Sequence, residues 1–225
     1  MATQIGNKTA LVVTDGLIMH WDAANKRSYT PGSSVIYDLA GSYNGTVTNG
    51  CSFSSNGSIL VNGDTGIIYN TSINRSSGAF TVITGTRIVG PTRGRMLAGV
   101  SNNWLLGYWS GRSEQYYSEG WVIGAGSGGA SDTAWTISTG TGDTSSDTWK
   151  FYSNSTLLAS NNGGSAGPNG LVVGGYTINS IGALGTGLAE RSDGEFSFLL
   201  VYNRVLSDAE IATNYNVYKR RYNLP

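Results

Sequence analysis

Asp193 and Glu195 stand two residues apart. On a β-strand that spacing puts both acids on one face, the arrangement in which one carboxyl protonates a leaving group while another attacks or activates water. By period two the next residues on that face are Ser197 and Leu199, so no further carboxylate completes a glycoside-cleaving run. The pair reads instead as a turn leading into a strand. His20 is the one histidine of the chain, and no Ser and Asp partners are fixed by its spacing, so it reads as a structural side chain beside Trp21. The glycine-rich stretch from Gly124 to Gly129 lacks the Gly-Lys-Ser/Thr ending of a phosphate-cradling loop and reads as surface loop. No catalytic constellation emerges, and the expectation is a non-enzymatic protein without a cofactor.

Recognition is better supplied than catalysis. Trp104, Tyr108, Trp109, Tyr116, Tyr117 and Trp121 crowd into one segment. Flat rings stack on sugar faces, and Trp and Tyr also anchor protein interfaces. Strand alternation buries about half of such a set. Arg87, Arg93, Arg95 and Arg112 flank it, and 10 of the 14 basic residues of the chain are arginine, the cation suited to interface anchoring. The candidate contact set is therefore the six aromatic residues with Arg93, Arg95 and Arg112, the alternative for the arginines being a solvated rim.

These residues must be held by strands. The 225 residues include 33 glycines and are rich in Ser, Thr and Asn, a composition for short strands joined by tight turns. Apolar runs recur at sandwich spacing, among them Leu17 to Asp22, Phe80 to Val89, Trp104 to Trp109, Tyr116 to Ile123, Trp149 to Tyr152 and Leu171 to Val173. Phe196 to Tyr202 is apolar on both faces, which predicts a central strand covered on both sides. Ser207-Asp208-Ala209-Glu210 fits a helix-starting capping box with Leu206 and Ile211 as its hydrophobic staple, and Ile211, Tyr215, Tyr218 and Tyr222 form the buried stripe of a helix over 207–222. Lys219, Arg220 and Arg221 then fall in its last turn.

Only 12% of residues are charged, 14 acidic against 14 basic, which supplies little field to attract nucleic acid or an anionic membrane. Cys51 is the one cysteine, so no intrachain disulfide forms and stability rests on packing. Met1 to Ala10 has neither the basic nor the apolar region of a secretory signal, which gives the expectation of a soluble protein made in the cytoplasm. One β-domain over 1–225 is expected, with residues 1–9 as an N-terminal arm.

Leu17 to Ala23, Tyr37-Asp38-Leu39 followed by Asn44-Gly45-Thr46, and Gly57-Ser58-Ile59 resemble the opening strands of laminin-G-like, concanavalin A-type jelly-roll domains. Asp193-Gly194-Glu195 and Leu200 through Ile211 resemble the last strand and terminal helix of that family. The resemblance implies an all-β, two-sheet antiparallel jelly-roll sandwich with one C-terminal α-helix, used for binding sugars, proteins or surfaces, in bacteriophage virion proteins among others. It also implies a rim calcium as the usual metal; Asp64, Asp132, Asp143 and Asp147 lie in loops suited to it, and the sequence selects none. The leading expectation is a capsid decoration protein of a phage virion, a homotrimer with the major capsid protein or other virion proteins as partners. The alternatives are a carbohydrate-binding module or fibre adhesin for host glycans, and a glycan-cleaving enzyme with an unrecognised site.

Overall fold

The computed structural model describes residues 11–62, 65–124, 133–175 and 190–224. The expected arm over 1–9, most of the glycine-rich loop after Gly124, and Asp64 and Asp132 lie outside them. Within the described residues the short apolar runs pair into two eight-stranded antiparallel sheets, as the sequence leads one to expect.

The first sheet contains β1 (Leu17–Asp22), β4 (Ser52–Phe53), β5 (Ile59–Val61), β7 (Ala79–Arg93), β12 (Thr136–Asp143), β13 (Thr148–Ser153), β14 (Thr156–Asn161) and β16 (Ser192–Tyr202). Their order is β14-β13-β12-β7-β16-β5-β4, with β1 also paired to β16. The second sheet contains β2 (Val35–Ile36), β3 (Gly45–Val47), β6 (Ile68–Asn74), β8 (Leu97–Ala98), β9 (Trp104–Trp109), β10 (Arg112–Ser118), β11 (Trp121–Ile123) and β15 (Asn169–Val173), ordered β11-β10-β9-β8-β15-β6-β3-β2. The run from Tyr116 to Ile123, expected as one strand, is broken. Glu119 adopts a left-handed φ of 53°, Ser118 N–H donates to the Gly120 carbonyl, and the chain reverses to make the β10–β11 hairpin.

Between the sheets lies a core built from alternate residues of both, including Met19, Trp21, Phe80, Val82, Leu106, Trp149, Leu171, Phe196 and Leu199. The predicted central strand is central. β16 pairs with β7 along most of its length and with β1 and β5 on its other edge. A β-bulge between Phe196 and Phe198 changes its facing. An extra residue shifts the alternation by one, so Phe196 and Leu199 enter the inter-sheet core while Phe198, Leu200 and Tyr202 face the opposite way. Gly85 lies directly beneath the Phe198 ring, and a Cβ there would come within 2.5 Å of it.

That opposite face is roofed by α1 (Asp208–Tyr218), which continues as a 3-10 turn over Lys219–Tyr222. Its Ile211, Tyr215 and Tyr218 are buried, the Tyr218 ring lying parallel to Phe198 at 3.5 Å, as the stripe demands. Leu206 and Ile211, the expected staple, are both buried in this second cluster. The capping box forms in both directions between Ser207 and Glu210. The basic run falls in the 3-10 turn rather than in the last α-helical turn; Arg221 leaves the helix end to pair with Asp22 of β1, Nη1 to Oδ1 at 2.8 Å.

Glu210 also accepts from both terminal nitrogens of Arg204, at 2.6 and 3.0 Å. These bonds, with those from Ser207, hold its carboxyl down at about 2. A carboxyl depressed on folding stabilises the fold above its unfolded value near 4.5, and that contribution disappears as the pH falls toward about 2. Glu210→Ala is therefore expected to lower stability by about 1 kcal/mol at neutral pH, the usual magnitude for a lost helix cap. It should also flatten the acid side of a pH–stability profile measured by urea unfolding; a profile identical to the wild type would refute the assignment.

Candidate ligand-binding site

β9, β10 and β11 form one end of the second sheet, and their alternation sorts the aromatic segment. Trp104, Tyr108 and Tyr116 point inward with Leu106 and Val122 and are core residues. They are packing residues and not the contact candidates that the sequence suggested, because alternation places them on the strand faces sealed in the inter-sheet core. Tyr116 is fully enclosed, its hydroxyl donating to the Thr141 carbonyl and its pKa pushed far up by burial. Trp109, Tyr117 and Trp121 lie on the other face and are half-exposed.

The three outward rings touch in series. Tyr117 meets Trp121 edge to face at 5.1 Å and 74°, and Trp121 meets Trp109 at 5.1 Å and 56°. Cross-strand neighbours make this possible, since Tyr117 stands opposite Trp121 and Arg112 opposite Trp109. The hairpin turn at Ser110 and Gly111 brings in the far end of β7, where Gly111 N–H donates to the Arg93 carbonyl at 2.7 Å. Arg93 and Arg112 are both exposed at this end. The structure thus gathers five of the nine candidate residues into one surface patch.

Arg95 is not part of that surface. Its side chain is 6% exposed, with Nε on Glu190 Oε2 and Nη1 donating to Asn103 Oδ1 at 2.8 Å. The other Glu190 oxygen, Oε1, accepts from the Trp109 indole N–H at 2.8 Å. Glu190 and Asn103 were invisible in the sequence because neither belongs to a motif and Glu190 lies 81 residues beyond Trp109.

The paired acids separate in role. Asp193 accepts from the Thr92 N–H at 3.2 Å, near the far end of β7. Glu195 is buried on the helix-side face of the first sheet, where it accepts from Arg87 Nη2 at 2.7 Å, Ser58 Oγ at 2.5 Å and Asn56 Nδ2 at 2.9 Å. Burial pushes its carboxyl up, but the donors from Arg87, Ser58 and Asn56 outweigh that and leave it below the usual range. Arg87 therefore belongs to this polar cluster, with Trp135 under its guanidinium at 5.3 Å, and not to the ring patch. His20 Nε2 is 2.8 Å from the Tyr218 hydroxyl, a contact between β1 and α1, and burial lowers its pKa.

Of the loop aspartates among the described residues, Asp143 is engaged by Ser145 N–H and Oγ and by Ser146 Oγ within its own turn, and no cluster of three or more metal-ligating side chains is present among those residues. A shallow cleft of ≈ 640 Å³ between the β13–β14 turn and α1, lined by Glu114, Asn154, Thr156, Tyr215 and Lys219, carries no ring surface of this kind outside Tyr215. No helix among the described residues is long and apolar enough to cross a membrane.

Fold and patch together define an all-β, jelly-roll-like sandwich with a cluster of partly exposed aromatic rings on one sheet. No protein-family model matches the chain, and no curated protein matches it. Solved structures do. A Trypanosoma rangeli sialidase in complex with sialic acid shares the fold with a TM-score of 0.63 at 17% identity, over 94% of this chain and 34% of that one. The receptor-binding domain of a botulinum neurotoxin C/D mosaic serotype does so with a TM-score of 0.61 at 13% identity, over 91% of this chain and 52% of that one. This chain thus spans about a third to a half of the structures it resembles, and at such identities the likeness is one of fold. The expectation of a phage capsid decoration protein is corrected by these comparisons. Solved structures of like fold include a sialidase and a toxin receptor-binding domain, and no family match ties the chain to a virion.

Proposed function

We infer that this protein is a non-catalytic carbohydrate-binding module, and that the Tyr117–Trp121–Trp109 patch is its sugar-contacting surface. The observation that carries the reading is three touching, half-exposed rings on one sheet face, flanked by two exposed arginines. Surface aromatics this closely grouped bury apolar area only when something covers them, and a pyranose ring offers a face of C–H groups to an aromatic face while its hydroxyls reach nearby polar side chains. Fold likeness to a sialidase crystallised with sialic acid supports a glycan as the ligand class, as analogy only.

The non-catalytic part of the reading is supported by the state of Glu195. In most glycosidase families, sialidases excepted, cleavage uses one carboxyl held protonated near neutral pH and a second ionised across the bond. Glu195 is held ionised by a guanidinium and two further donors, and it lies on the first sheet, away from the rings.

Trp121→Ala is the direct test, since Trp121 is the middle ring. Loss of a central anchor costs about 2 kcal/mol, roughly 30-fold in Kd. Titration calorimetry against the glycan selected from an array should show that loss with an unchanged melting temperature, and Thr46→Ala on β3, near the opposite end of the same sheet, should bind like the wild type. Failure of the wild-type protein to bind any glycan on the array would reject the function.

A further inference from the structure

We propose that Glu190 is a positioning residue for the binding surface, fixing the plane of the Trp109 ring through the indole N–H. This rests on the reading of the ring patch as the binding surface, and it extends that reading to a residue that offers the ligand no ring of its own.

Five observations bear on Glu190. Its Oε1 accepts the only polar hydrogen of the Trp109 side chain, at 2.8 Å. Its Oε2 is engaged by Arg95, whose guanidinium is almost fully enclosed and is also held by Asn103. Asn103 N–H in turn donates to Glu119 at 2.7 Å, in the turn between the strands that carry Tyr117 and Trp121. The backbone is fixed too, with Arg95 N–H donating to the Glu190 carbonyl and Gly94 N–H to that of Arg191, both at 2.7 Å.

The conformation is the most telling. Glu190 has a φ of 50°, in the left-handed region that a β-carbon makes unfavourable. Such a conformation is unfavourable and persists only where surrounding contacts over-determine it. Here those contacts are the buried Arg95 and the indole. A surface carboxylate held in a strained backbone, oriented by a buried guanidinium and aimed at the ring nitrogen, is arranged to remove the freedom of Trp109 before a ligand arrives. Pre-orienting an exposed ring in this way saves the ordering cost that binding would otherwise incur. With its N–H already engaged, Trp109 has its ring surface left for the ligand, which favours stacking over hydrogen bonding at this position.

The test is a double-mutant cycle read two ways. Glu190→Gln and Trp109→Phe are made singly and together, Phe keeping a ring without the N–H. If Glu190 acts through the indole, each single change weakens glycan binding about 5- to 10-fold, and the double variant is no weaker than the worse single one. Effects that multiply would overturn the proposal, because independent roles are additive in free energy. The second readout needs no glycan. In protein labelled with 5-fluorotryptophan, the resonance lost in Trp109→Phe should shift or broaden in Glu190→Gln, while the Trp149 resonance, buried in the core, stays in place. An unmoved Trp109 resonance sinks the positioning role. A moved resonance in a protein that binds no glycan would leave Glu190 fixing the ring and reject the sugar reading alone.

Discussion

Trp149→Ala lowers the free energy of unfolding by about 3–5 kcal/mol, the range for emptying a large aromatic site in a packed core. Trp149 is fully buried on β13, in tilted contact with Phe80 at 5.8 Å. Two glycines enclose its ring. A Cβ on Gly142 would stand 2.1 Å from the indole and one on Gly164 2.5 Å from it, so backbone presses on the indole at both positions. A backbone-walled cavity collapses poorly when the ring is removed, which places the loss toward the upper part of the range. Urea denaturation followed by tyrosine emission measures it. A loss below about 1 kcal/mol would show that the site closes up after all. The complementary change, Gly142→Ala, overfills the same site and should also destabilise, by at least about 1–3 kcal/mol.

Glu195→Ala is expected to cost about 3 kcal/mol, the lower end for breaking a buried ion pair by removing one partner. The lower end applies because the Arg87 side chain keeps 29% of its surface in water and Trp135 lies under its guanidinium, so the stranded charge is partly solvated. Asn56 and Ser58 lose an acceptor in the same change. Because the Glu195 carboxyl is depressed on folding, its contribution is present above the unfolded carboxylate range and is lost as the pH falls below it. Wild-type stability should therefore decline on the acid side more steeply than that of the variant. The double change Arg87→Met with Glu195→Leu should recover much of the loss, since a buried pair replaced by apolar groups is often neutral or better. If the double variant is as unstable as Glu195→Ala, the cluster contributes by shape and not by charge.

How far the sequence leads can be judged residue by residue. The helix was legible because Ser207 to Glu210 is a local device, complete within four residues, and the Ile/Tyr stripe follows it directly. The centrality of β16 was legible because a strand apolar on both faces has no stable place at a wet edge. The bulge at Phe196–Phe198 was not, since one extra residue leaves no compositional trace, and it overturned the expectation that Glu195 and Leu199 share a face. For the aromatic segment, alternation correctly required about half of the rings to be buried. Which half depended on the turn at Glu119–Gly120, where a non-glycine residue takes a left-handed conformation that the sequence does not advertise. The Glu195–Arg87 pair joins residues 108 apart, but a signal was available in retrospect: Arg87 is a lone charge within a run otherwise fit for burial.

The place of β16 in the first sheet also governs when this fold can exist during synthesis. Residues 192–202 are synthesised after β1, β5 and β7, yet they are the partner along which all three close. A nascent chain halted before Ser192 therefore carries several long strand edges with open hydrogen-bonding groups and no central member to satisfy them. Closure of the first sheet waits on β16, and translation pausing or truncation upstream of Ser192 leaves an aggregation-prone species.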